Sequence, residues 1–212
     1  MHFGRSLCEY LVLYSQQTTT SQSEKFMSRL TPITEREQVS GDALIAFDAI
    51  IESRGRINGP QSMHMYAPEV ARWSTALSDS LRFNSDLSEH DTELAIITAA
   101  REMDCEFVWA AHAAAASKVG VRPEAIETVG NKAGLEGLTS EEAVIVRYGR
   151  ETLGDHNLSQ EAFDAALGRF GERGTIVLGA LMGYYSMIAC TLIATDVRPN
   201  PIRPMRITRM RP

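Results

Sequence analysis

DLSEHDTELAIITAAREMDCEFVWAAHAAAASKVG, from Asp86 to Gly120, gathers most of the chemically capable side chains of this chain into two helical runs. Leu94, Ile97 and Arg101 recur at helical spacing. Ser88, with Asp91 three residues on, provides an N-terminal cap, so a first helix is expected from about Ser88 to Glu102. Asp104 offers a second N-cap ahead of Cys105, Glu106, Phe107, Val108, Trp109 and His112. The alanine run that follows stops at Gly120, the residue type that succeeds a helix C-terminus. A bend at Met103-Asp104 decides what these residues can do together. In one unbroken helix Glu93 and Cys105 would sit roughly 18 Å apart at 1.5 Å per residue, whereas a hairpin folds Glu93 back toward the second helix. Val108 and His112, four apart, are neighbours, while Cys105 lies two turns away, about 10 Å along the axis, on nearly the same face.

The flanking chain reads as scaffold. Thr34 with Glu37 has the pattern of a capping box, and Leu44, Phe47, Ile50 and Ile51 supply the apolar face of a helix ending near Gly55. Asn58-Gly59-Pro60 opens a loop that closes at Pro68. His64 within it is a candidate pocket residue, with a surface histidine the commoner explanation. Val70, Trp73, Leu77 and Leu81 then recur on one helical face, which places Trp73 in the core. Downstream, Pro123 starts a short helix to Gly130, Gly134 to Gly137 is a turn, and Thr139-Ser140-Glu141-Glu142 caps a helix reaching Gly154. His156 falls in an exposed linker. Ser159 caps a helix to Gly171, and an apolar helix follows from about Glu172 to Ala194. Gly179 and Gly183 are sites of close approach by a neighbouring helix. No strand alternation appears, so the expected fold is all-α: an antiparallel helical bundle in a single domain over 27–197. It is preceded by a disordered leader over 1–26 and followed by an extended tail over 198–212 with five arginines, four prolines and no acid.

Composition narrows the function. With 212 residues, 44% of them hydrophobic, the chain can bury a core. A net charge of −6 and a pI near 5.4 argue against nucleic acid as a partner. Cys8, Cys105 and Cys190 lack the spacing of a metal site or a disulfide framework, which fits a reducing, cytoplasmic setting. The longest apolar run, Thr175 to Thr195, is interrupted by Gly179, Gly183 and Tyr184-Tyr185 and reads as a buried helix, so no membrane partner is expected.

The segment CEFVWAAH, with Glu93 before it, resembles the carboxymuconolactone decarboxylase and alkylhydroperoxidase D superfamily, the resemblance running from roughly Gly59 to Thr195. Its signature is an acid on the first helix (Glu93), a cysteine position (Cys105), a second cysteine position three residues on, and a histidine four beyond that (His112). In the peroxidase branch the second position is a cysteine; here it is Val108. The decarboxylase-like branch instead shows an acidic and aromatic run before the histidine, matched by Glu106 and Trp109. The resemblance implies an alkylhydroperoxidase D-like helical bundle that forms a homo-oligomer, trimer-based or dimeric. It also implies a decarboxylase-like enzyme for a small carboxylated lactone or related ring acid, with no metal or organic cofactor.

Such a reaction leaves an electron pair that the ring carbonyl takes up as a dienolate, and an acid must then protonate carbon. His112 has the right chemistry for that donor, and Glu93 is the group to orient the imidazole or keep it charged. Trp109 and Phe107 are expected to form an apolar wall, with Glu106 and Val108 beside it. Arg101 and Arg72 are candidate carboxylate anchors, each equally explained as a surface ion pair. Every element also has a plain structural explanation: Glu93 bridging to Arg101 or Arg147, His112 a satisfied buried histidine, Cys105 a small hydrophobe. One rival reading is a thiol peroxidase in which Cys105, its pKa lowered by a helix N-terminus, attacks peroxide and Cys190 resolves it. Another is an oligomeric small-ligand-binding protein without catalysis.

Overall fold

The computed structural model describes residues 28–199; the leader expected over 1–26, Cys8 within it, and the tail from 200 onward lie outside them. Among the described residues all regular structure is helical. The order is α1 (Asp42–Arg54), α2 (Pro60–His64), α3 (Pro68–Phe83), α4 (Glu89–Glu102), α5 (Glu106–Lys118), α6 (Pro123–Gly130), α7 (Ser140–Gly149) and α8 (Gln160–Thr195). A π-helical turn, Arg150–Gly154, continues α7.

The hairpin of α4 and α5 is the centre of the molecule. Every α4 residue from Asp91 to Arg101 is buried, because α5, α7 and α8 pack around it. Ser88 caps α4 through the Asp91 N–H. The reversal differs from expectation in one detail: Asp104 does not cap α5. Asp104 occupies the left-handed region (φ 47°), and Cys105 takes the N-cap position without a side-chain cap bond. The reason lies in the end of α4, where the Cys105 N–H reaches the Ala100 carbonyl at 2.9 Å and the Asp104 N–H the Arg101 carbonyl at 3.2 Å. This pair of bonds requires a left-handed residue at Asp104, which aspartate tolerates better than most side chains. Arg101 fastens the bend, donating to the Asp104 carboxylate and, at 2.7 Å, to the Gly130 carbonyl on α6. It is 2% exposed, with its guanidinium committed to the turn.

Other expectations are corrected in the N-terminal third. Thr34 and Glu37 do not start a long helix. Gln38 accepts the N–H groups of Thr34 and Glu35, closing a single 3-10 turn, Arg36–Gln38, that ends in extended Val39. The helix proper begins at Asp42 behind Gly41 and stops at left-handed Gly55. On α3 the large apolar side chains face outward: Val70, Trp73 and Leu77 are exposed, Trp73 at 62%. The buried face is Ala71, Ser74, Thr75, Ser78 and Leu81. Small side chains let α3 lie close against α1 and α8, and close approach decides which face turns inward.

Helix α8 is broken at Gly171 (φ 66°, ψ −178°), where the two-helix reading placed its boundary. Its second half buries Leu178, Leu181, Met182, Tyr184, Tyr185, Ile188 and Leu192. Contrary to the reading of the glycines as interruptions, the helix is continuous past them, and by length and apolarity it would suffice to cross a membrane. A side chain at Gly179 would come within 2.8 Å of the Tyr148 hydroxyl, so that glycine does serve close packing, whereas Gly183 faces open space.

The buried apolar residues form two clusters. The larger unites α4 to α8 with the end of α3. The smaller joins α1 to Ile57, Met65 and Ala71.

Candidate active site

The α4–α5 reversal brings Glu93 and His112 together: His112 Nδ1 lies 2.7 Å from Glu93 Oε2. The other carboxylate oxygen, Oε1, accepts from Arg82 Nη2 at 3.1 Å. Glu93 is 6% exposed. Burial pushes its pKa up, but the His112 hydrogen bond and the His112 and Arg82 charges outweigh that and hold the carboxyl below its usual value. An ionised Glu93 can only accept, so Nδ1 carries a proton and Nε2 is left for the cavity. The edge of the imidazole meets the Tyr185 ring at 5.0 Å, which fixes its plane. Tyr185 in turn packs edge-on to Tyr184.

His112 lines a cavity of about 300 Å³ where the α1–α2 segment faces the main bundle. Phe107, Val108 and Ala111 of α5 and Ile188 of α8 form an apolar wall. Phe107 also seats against the loop, since a Cβ at Gly59 (φ 49°) would come within 2.6 Å of it. The polar lining is contributed by Arg54, Arg56, Asn58, Gln61, Ser78, Arg82, Tyr184 and Tyr185. Burial pushes both tyrosine hydroxyls up, so they remain protonated donors.

Of the residues expected at a site, His112, Phe107 and Val108 line this cavity and Glu93 stands directly behind it. The others lie elsewhere. Trp109 packs on α6, close enough that a Cβ at Gly130 would approach its ring to 2.9 Å. Glu106 at the first turn of α5 is not among the lining residues. Arg72 is exposed, its guanidinium 4.4 Å from the Trp73 ring centroid. His64 is neither on the surface nor in the cavity: it is buried, with Nδ1 3.1 Å from Ser74 Oγ and Nε2 3.0 Å from Thr191 Oγ1, and burial pulls its pKa down. Cys105 is 2% exposed and outside the lining. Its thiol is pushed up by burial, which outweighs the N–H groups of Val108 and Phe107 at the helix start, so the expected lowering of its pKa does not occur. Among the described residues no three His, Cys, Asp or Glu side chains converge as metal ligands would.

The sequence reading missed Arg82, Arg54, Arg56 and the tyrosine pair. Arg82 lies one turn beyond Ser78 on α3, so a buried polar face there was a usable signal. Tyr184-Tyr185, two polar tips in an apolar helix, was another.

Residues 68–154 match the model of the carboxymuconolactone decarboxylase family. No curated protein sequence matches the chain. Among solved structures, an uncharacterized peroxidase-related protein from Ralstonia eutropha JMP134, described as an alkylhydroperoxidase AhpD core, superposes with a TM-score of 0.65 at 17% identity, covering 82% of this chain and 93% of that one. A peroxidase-related protein from Silicibacter sp. TM1040 gives 0.63 at 16%, covering 87% and 97%. The debrominase Bmp8, in complex with 2,3,4-tribromopyrrole, gives 0.63 at 11%, covering 80% and 90%. At such identities these likenesses speak to the fold. The family match covers the segment that carries Arg82, Glu93, Cys105 and His112, so over 68–154 the chain is similar to the carboxymuconolactone decarboxylase family, and its helical fold is the one seen in the AhpD-like structures.

Proposed function

We propose that the protein is a decarboxylase-like acid–base enzyme acting on a small carboxylated lactone or related ring acid, working as a homo-oligomer in the cytoplasm. The observation that carries this reading is the Glu93–His112 contact of 2.7 Å at a cavity whose lining includes no cysteine. In the step proposed, the bond from the ring to the carboxylate breaks and CO2 departs. The electron pair moves into the conjugated ring carbonyl as a dienolate. His112 Nε2 then delivers a proton to carbon and is reprotonated from water. Glu93 holds Nδ1 throughout, and Arg82 holds Glu93. The apolar wall of Phe107, Val108 and Ile188 keeps water from competing for the dienolate. Tyr184 and Tyr185 are suited to donate to the oxygen on which charge develops.

The cavity's size suits a single small ring, and the debrominase neighbour holding a tribromopyrrole supports a fold that accepts compact planar ligands. The thiol-peroxidase reading has the peroxidase-related neighbours in its favour. Against it stand a buried Cys105 with a raised pKa and a valine beside the imidazole. A paired assay separates the two. Loss of 4-carboxymuconolactone absorbance, reduced about 10²–10⁴-fold in His112→Ala, is the expected outcome. Dithiol-dependent peroxide turnover that disappears in Cys105→Ser, with the lactone untouched, would reverse the assignment.

A further inference from the structure

Every charged side chain that lines the cavity is cationic or, for His112, able to become so. Two of the three arginines are already paired in charge, although Arg82 Nε makes no hydrogen bond among the described residues. Arg54 Nη2 lies 2.5 Å from Asp79 Oδ1, and Arg82 is paired with Glu93. Both guanidiniums also flank the Phe83 ring, at 5.2 and 4.8 Å, which limits their freedom to turn. Arg56 is different: among the described residues it has no hydrogen bond or ion pair, and it is exposed at the rim. Its backbone is nevertheless anchored, between left-handed Gly55 closing α1 and Ile57, 4% exposed in the smaller apolar cluster. With His112 neutral, cancelling Arg54 against Asp79 and Arg82 against Glu93 leaves one surplus positive charge on the lining, at Arg56. A cation held at a cavity mouth without a partner is unspent binding capacity for an anion, and the guanidinium fork matches a carboxylate in geometry as well as charge.

We propose that Arg56 is a specificity-determining residue that recruits the carboxylate of a monoanionic ring ligand to the rim of the cavity, while Phe107 and Ile188 receive the ring. This deepens the reading above and rests on it for the substrate class. Arg56 precedes the segment matched to the family, 68–154, so charge selection in this chain belongs to the α1–α2 connection and proton transfer to the α4–α5 hairpin.

The test is calorimetric titration of the full chain with benzoate and with benzamide, isosteres that differ in charge. Benzoate is expected to bind about fivefold more tightly than benzamide. Arg56→Gln, an exposed substitution that leaves no partner stranded, should raise the benzoate Kd about fivefold and leave that for benzamide unchanged. Arg56→Lys should recover part of the difference, since it keeps the charge and loses the fork. Equal affinities, an unchanged ratio in Arg56→Gln, or no benzoate binding at about 10 mM would each overturn the proposal. The readout is independent of turnover. If the charge ratio holds while no lactone is consumed, the decarboxylase reading alone fails; if the lactone is consumed and the ratio is absent, the role of Arg56 alone fails.

Discussion

Glu93 is held on both oxygens at once, by the His112 ring on one and the Arg82 guanidinium on the other, and this double engagement lets a carboxylate sit 6% exposed within a buried helix. Removing its charge in Glu93→Gln should therefore slow turnover about 10²-fold, with KM changed little, because the imidazole loses its orienting acceptor while the cavity keeps its wall. The pH dependence of stability follows from the same pairing. A carboxyl held below its unfolded value of 4.5 contributes stability above that pH and loses it as pH falls through the folded value. Thermal melts of the wild type should drop on acidification below pH 4.5, more steeply than those of Glu93→Gln. If the two profiles were parallel, Glu93 would not be held as an anion. At this scale the acid and the histidine were legible because both lie at fixed spacing on either side of a readable break between two helices. Arg82 and Arg56 were not, since a surface arginine and a cavity arginine have the same local sequence signature, and only the packing of distant helices separates them.

At the level of elements, the caps and stops were the most readable features: Ser88, Gly120, Pro123, the Thr139–Glu142 box and Gly171 all lie where the helices begin, end or break. These signals are satisfied within a few residues of chain, so no tertiary contact overrides them. Helix facing was less readable. Trp73 and Leu77 have the right period for a core, yet the small residues of α3 took the inside. The same preference for close approach appears at Gly149, where α7 meets α4 and α8. A Cβ there would fall 2.6 Å from Thr98 Cγ2 and 3.0 Å from Met182 Cε. Because these contacts are buried, Gly149→Ala is expected to cost about 1–3 kcal/mol and lower the melting temperature by several degrees. An unchanged Tm would mean that the three helices have room to separate.

For the whole molecule, the face of α8 turned away from the core carries Ile176, Ala180, Gly183, Met187, Cys190 and Ala194, alternating in steps of four and three, with Ile176 73% exposed. A seam of that period is suited to a second helix, and it supports the homo-oligomer proposed above. Light scattering after gel filtration should give a multiple of 23.4 kDa for the wild type and a smaller species for Ile176→Glu. A wild type running at the single-chain mass would exclude that seam as an interface. The cavity, meanwhile, lies between the α1–α2 connection, whose Ile57 belongs to the minor apolar cluster, and Phe107, Val108, Tyr184, Tyr185 and Ile188 of the major one. Its dimensions therefore depend on how two separately packed masses abut, and not on a void inside either. Exchanging the short leading helices would give the molecule a different ligand appetite while the bundle that holds Glu93 and His112 behind them kept its shape.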